Sequence, residues 1–268
     1  MKRTVAIALG LLGTAIFVGL APGQTGVKKK RALPHEFGNV VINNYSEKAG
    51  LAPVEFAHWL HRSMYTCRLC HVDIAFGMKA GSSNIKAADN KKGFYCGTCH
   101  NGKMVYNNKT VFASCQPVYS QEDAKRCERC HSVGRNVIPE QDFYAYTRTF
   151  PKERFGNGID WEKAETNKSI KLVDFLEGVS IKRKPMAVQK DFSLAAKVPG
   201  MPDIIFSHEK HTVWNGCELC HPEIFVGVKK GMTKYSMAEI YDGKYCGVCH
   251  VKVAFPLLDC QRCHTKSI

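Results

Sequence analysis

The chain has 268 residues, 44% of them hydrophobic, and carries 38 Lys and Arg against 24 Asp and Glu for a formal charge of +14. No nucleophile with an adjacent base, no acid/base pair and no glycine-rich nucleotide loop stands in a recognisable context, so the sequence offers no ordinary enzyme site. Its excess is in cysteine, with 13 residues. Taken in chain order, Lys2 and Arg3 precede an apolar run from Val5 to Ala21, which reads as an export signal over residues 1–25. The run is long for a cleaved signal, lacks a small-x-small site and is followed by Pro22, so an uncleaved membrane anchor is the alternative. The basic cluster Lys28 to Arg31 reads as a solvated linker within an N-terminal segment, 26–51.

From there Cys-x-x-Cys-His is written six times: Cys67, Cys70 and His71; Cys96, Cys99 and His100; Cys127, Cys130 and His131; Cys217, Cys220 and His221; Cys246, Cys249 and His250; Cys260, Cys263 and His264. Two thiols three residues apart can reach the two vinyl groups of one porphyrin, and the next residue then lies under the iron as a proximal imidazole. Zinc ribbons also use Cys-x-x-Cys pairs, but they need two pairs, or a pair with two spaced histidines, and have no use for a His after every second Cys. Six covalently attached haem c groups are expected, with the six motif histidines as proximal ligands.

Six haems in the roughly 240 residues after the export segment leave about 40 residues to cover each, too few for a conventional core. The porphyrins are therefore expected to be the core, within a mostly irregular fold of short α-helices joined by Gly- and Lys-rich loops. They also bring roughly twelve propionates, which nearly balance the positive charge. Nucleic-acid binding does not follow from the basic composition. The lysines are expected to solvate propionates or to present a docking face to an acidic redox partner.

Sliding the chain on itself by 150 residues aligns Phe56, His58 and His61 with Phe206, His208 and His211, and the first two motifs with the fourth and fifth. Ile74, Gly77, Gly81, Gly93 and Tyr95 meet Ile224, Gly227, Gly231, Gly243 and Tyr245 in the same register. This is a duplicated three-haem unit, at 52–133 and 201–268, with a connecting segment at 134–200. The third motif breaks register, because the first unit carries an insertion of 17 residues that contains Cys115. In the connecting segment Phe150, Phe155 and Trp161 are expected to pack on a haem or on the neighbouring unit, with a short helix somewhere in 161–176.

Besides the motif histidines only His35, His58, His61, His208 and His211 remain. Four of them form F-x-H-x-x-H ahead of a haem motif, twice at one spacing, which points to iron ligation. At these residues, FAHWLHRSMYTCRLCH and FSHEKHTVWNGCELCH, the chain resembles the small multihaem cytochromes of the c3 and c7 classes. The resemblance implies two c7-like triheme units in tandem. It implies that His58 and His208 are distal ligands of the haems at Cys67/Cys70 and Cys217/Cys220. It gives His61 and His211 to the haems at Cys96/Cys99 and Cys246/Cys249. Met237 resembles the Met that replaces a distal His in variants of the unit, which would give the haem at Cys260/Cys263 His-Met ligation and a raised potential. Ala87 stands at the equivalent place in the first unit, so the iron at Cys127/Cys130 has Met78, Met104, His35, Cys115 or an open position to choose from, with Met78 preferred.

The function expected is electron transfer in the periplasm or cell envelope of a bacterium, because a filled sixth position leaves a substrate nowhere to bind. The expected partners are quinol-oxidising complexes and periplasmic or outer-membrane cytochromes, with possible membrane association through the N-terminal apolar segment. The alternative is a multihaem oxidoreductase acting on a small nitrogen or sulfur compound at Cys127/Cys130. A third reading, a structural subunit that polymerises or plugs an outer-membrane conduit, shares the same chemistry.

Overall fold

A computed structural model describes residues 31–184, 186–227 and 229–266, of which the stretch from Ala32 onward belongs to one compact unit. The export segment and the start of the basic linker lie outside the described residues. Among the described residues no helix is long and apolar enough to cross a membrane.

The first repeat opens with an antiparallel pair, β1 (Val40–Ile42) on β2 (Val54–Phe56), with Val40 opposite Phe56. Helix α1 (His58–Arg62) follows directly, then one turn of π-helix through the first motif (Leu69–Asp73), then α2 (Ala87–Lys91). The insertion forms a two-residue hairpin, β3 (Val105–Tyr106) on β4 (Lys109–Thr110), reversing through Asn107 and Asn108, both at positive φ, a conformation Asn tolerates well. Helix α3 (Gln121–Glu128) then carries Cys127, its start fixed by Ser120, whose hydroxyl accepts the Asp123 N–H.

The second repeat rebuilds the same order. β5 (Phe192–Leu194) pairs antiparallel with β6 (Asp203–Phe206), with Phe192 opposite Phe206. Then come α6 (His208–Asn215), α7 (Met237–Tyr241), α8 (Gly247–His250) and α9 (Cys260–Cys263), and β7 (His264–Lys266) returns to the free edge of β6. The first repeat has an irregular counterpart of that return. Glu55 N–H donates to the Cys130 carbonyl at 2.9 Å, and His131 Nδ1 donates to Ala52 O at 2.7 Å, just as His264 Nδ1 donates to Pro202 O at 2.7 Å. The third motifs, out of register in sequence, are thus equivalent in space.

Helices α4 (Phe143–Tyr146) and α5 (Trp161–Thr166) lie in the connecting segment, each capped by an aspartate, Asp142 and Asp160. The short helix expected somewhere in 161–176 spans six residues from Trp161; Asn167 closes it and Lys168 follows at φ 62°. Phe143, Ile159, Trp161, Ala164 and Ile170 bury themselves against Trp59 of α1, with Phe150 packed on this cluster and 6.0 Å from the Trp161 ring centre. The segment then ties the repeats together. Arg183 pairs with Asp73 of the first repeat at 2.6 Å and with Glu218 of the second.

Candidate functional site

A cavity of about 2300 Å³ runs through both repeats. Its walls include Cys67, Cys96, Cys130, Cys220, Cys249 and Cys263, one thiol from each of the six motifs. Burial pushes the thiols of Cys70, Cys96 and Cys249 up to about 12 and those of Cys130, Cys220 and Cys263 up to about 11. Apolar surroundings on this scale suit a macrocycle with thioether links rather than a thiolate-bound metal. Among the described residues no cluster of His, Cys, Asp and Glu is arranged to hold a bare metal ion.

The histidines are oriented with one consistent device. Nine of them, His58, His61, His71, His131, His208, His211, His221, His250 and His264, direct Nδ1 at a main-chain carbonyl oxygen within 3.1 Å. A carbonyl can only accept, so Nδ1 carries the proton and Nε2 keeps its lone pair for a ligand. The tenth, His100, has a buried Nδ1 facing the Phe112 main chain without full hydrogen-bond geometry. Burial pulls His58, His100 and His250 down to about 4 and lowers His61, His71 and His211 as well, which keeps these imidazoles neutral, the form a metal requires.

Three of the expected pairs face each other. The His58 and His71 rings are 6.5 Å apart at centre and parallel within 9°, His61 and His100 are 6.3 Å apart, and His211 and His250 are 6.2 Å apart. Two imidazoles bonded to one iron from opposite faces put their ring centres roughly 6 Å apart, since each metal–nitrogen bond is about 2 Å. One phenylalanine sets each F-x-H-x-x-H motif. Phe56 lies edge-on to His58 at 4.7 Å and tilted over His61 at 4.3 Å, and Phe206 does the same to His208 at 5.0 Å and His211 at 4.5 Å. Among the described residues His208 has ring contacts with Phe192 and Phe206, and His221 with Phe225.

The methionine positions are less defined. Met237 is the first residue of α7, lines the cavity and is 40% exposed, and Met78 lines the cavity in the loop after the first motif. His35 also lines the cavity and shares a 3.4 Å contact with the Tyr144 hydroxyl through Nδ1. Cys115 sits at φ 53° and accepts from Asn90 Nδ2 at 3.5 Å. Arg62 was not anticipated from sequence. Its equivalent in the repeat is Thr212, so aligning the two halves gives no signal for it.

A search of curated proteins found no match. Among solved structures, a c7-type three-heme cytochrome domain is 38% identical over 30% of this chain and 99% of its own, with a TM-score of 0.27. The C-terminal hexaheme fragment of GSU1996 is 25% identical over 85% of this chain and 97% of its own, with a TM-score of 0.26. The model of the family described as cytochrome c7 and related cytochrome c matches residues 54–132 and again 204–265, more than half of the sequence and one match for each repeat. The chain belongs to the cytochrome c7 family, as a multihaem c-type cytochrome made of tandem triheme units.

Proposed function

We propose that this chain holds six haems and passes electrons through them between redox partners in the bacterial envelope, as a relay rather than as an enzyme. When bound, haem iron supplies one-electron chemistry by cycling between its ferric and ferrous states. The polypeptide's part is to fix the axial ligands. His58 with His71, His61 with His100, and His211 with His250 are the distal–proximal pairs for the haems at Cys67/Cys70, Cys96/Cys99 and Cys246/Cys249. His208 with His221 completes a fourth at Cys217/Cys220 by the repeat. Met237 with His264 would hold the haem at Cys260/Cys263, and Met78 with His131 the haem at Cys127/Cys130.

The observation that carries this reading is the spacing of the three imidazole pairs, 6.2 to 6.5 Å, each partner with Nδ1 turned away or bonded to carbonyl. Rings held that way close both faces of an iron and leave no coordination site for a substrate. The same reading makes 52–133 and 201–268 the two triheme units, with residues of 26–51 and 134–200 contributing the strands β1 and β5 that pair with them.

Electron paramagnetic resonance of the oxidised holoprotein, with a haem count by mass, tests the proposal. Six haems with low-spin signals only are expected. A stoichiometric high-spin ferric signal would overturn the relay reading in favour of a small-molecule oxidoreductase at that haem.

A further inference from the structure

The contact between the repeats contains a positive charge that no carboxylate among the described residues neutralises. Arg62 ends α1, and its guanidinium lies between two indoles, 4.8 Å from the Trp161 ring centre and 5.1 Å from that of Trp214 in the second repeat. Nη1 donates to the Val253 carbonyl at 2.7 Å, and Nε is buried without a partner. Among the described residues no carboxylate forms an ion pair with it. A guanidinium stays protonated under any condition the protein meets, and the indole faces accept it by cation–π attraction.

The guanidinium stands beside two haem sites, one in each repeat. Arg62 lies one helical turn after His58 on α1, and Val253, whose carbonyl it bonds, lies three residues beyond His250 of the fifth motif. The Arg68 side chain, between the cysteines of the first motif, lies against Gly216, next to Cys217 of the second repeat, so this seam is where attachment sites of the two repeats approach. A fixed positive charge opposes the extra positive charge of a ferric iron, and more strongly in a medium of low dielectric than in water.

Resting on the haem-relay reading above, we infer that Arg62 is a positioning charge that raises the reduction potentials of the haems at Cys67/Cys70 and Cys246/Cys249 together, making this matched pair the crossing point for electrons between the two units. The crossing is a one-electron exchange in which one iron goes from ferrous to ferric and the other from ferric to ferrous, with no proton or atom transferred.

Haem-resolved potentiometric titration of the full holoprotein tests this in wild type, Arg62→Gln, Arg62→Met and Arg62→Lys. The Met variant keeps an apolar stem between the indoles should Gln fail to fold. Both neutral variants are expected to shift the reduction equilibrium of those two haems at least tenfold toward the oxidised form, about 59 mV each. The other haems should stay within threefold, as should every haem of the Lys variant. Unchanged potentials at the two haems, an equal shift at all of them, or a Lys variant that shifts as far as Gln would each overturn the inference. Wild-type protein without haem would instead defeat the underlying functional reading, so the two failures are distinguishable.

Discussion

Phe56 and Phe206 bind the ligand pattern together at the scale of single residues. Each phenyl ring stands edge-on to the first histidine of its motif and over the second, so one side chain orients two imidazoles that the proposed ligation gives to different irons. The carbonyl bonds do the rest, with Gly38 O on His58 and Ala57 O on His61. Removing one imidazole should then affect one iron only. In His61→Ala, the haem at Cys96/Cys99 is expected to lose its low-spin signature while the others keep theirs, and electron paramagnetic resonance of the oxidised protein would show one new high-spin component. Loss of low-spin signal at the Cys67/Cys70 haem instead would mean that the two ligands are assigned the wrong way round. The histidines themselves were legible in sequence because they repeat at a fixed spacing. Their carbonyl partners were not, since a main-chain oxygen leaves no trace in residue identity. Arg62 was hidden for the opposite reason: it occurs in one repeat only.

Short elements set the spacing between haem sites, and two glycines show how tightly. Gly97 and Gly247 occupy the same place between the cysteines of the second and fifth motifs. A Cβ there would lie 1.8 Å from Asn90 O and 1.9 Å from Ile240 O, the backbone of α2 and α7. Backbone atoms cannot move aside as a flexible side chain can, so the helix and the motif would have to separate. Gly247→Ala is therefore expected to destabilise the protein by about 1–3 kcal/mol, the usual cost of overpacking, read as a lower thermal midpoint of the holoprotein. An unchanged midpoint would show that α7 does not seat on the motif this closely. Cys-Gly recurs at the second and fifth motifs, but only the helix backbone above it explains why glycine is required. Strands β1 and β5 were missed for a related reason. Val-Val-Ile and Phe-Ser-Leu share no residue, and they are equivalent because each pairs with the strand that leads into the histidines. The third motifs are the same case: their equivalence lies in the bonds of His131 to Ala52 and His264 to Pro202, which an insertion of 17 residues conceals in sequence.

On the scale of the whole molecule, side chains make very little core. The buried apolar cluster comprises Trp59, Phe143, Ile159, Trp161, Ala164 and Ile170, with a few flanking residues, and it sits to one side where the connecting segment crosses α1. The longest helices among the described residues, α3 and α6, have eight residues each, shorter than an isolated helix needs to persist in water. What remains is a cavity of about 2300 Å³ whose walls include thiols of all six motifs and several imidazoles. Folding has to offset roughly 1–2 kcal/mol of backbone entropy per ordered residue, and the apolar surface buried by side chains alone falls short when the proposed six haems leave only about 40 residues around each. Haem is thus the larger part of the core, and its covalent attachment restricts the unfolded chain as a crosslink does. The chain produced with the motif cysteines changed to serine should therefore fail to fold. Small-angle scattering is the direct measurement: the holoprotein should have a radius of gyration of about 18 Å, and the haem-free chain should expand toward the roughly 57 Å of an unfolded chain of this length. A haem-free chain that stayed near 18 Å and melted cooperatively would mean that the Trp59–Trp161 cluster and the Arg183 clamp hold the repeats together without the porphyrins.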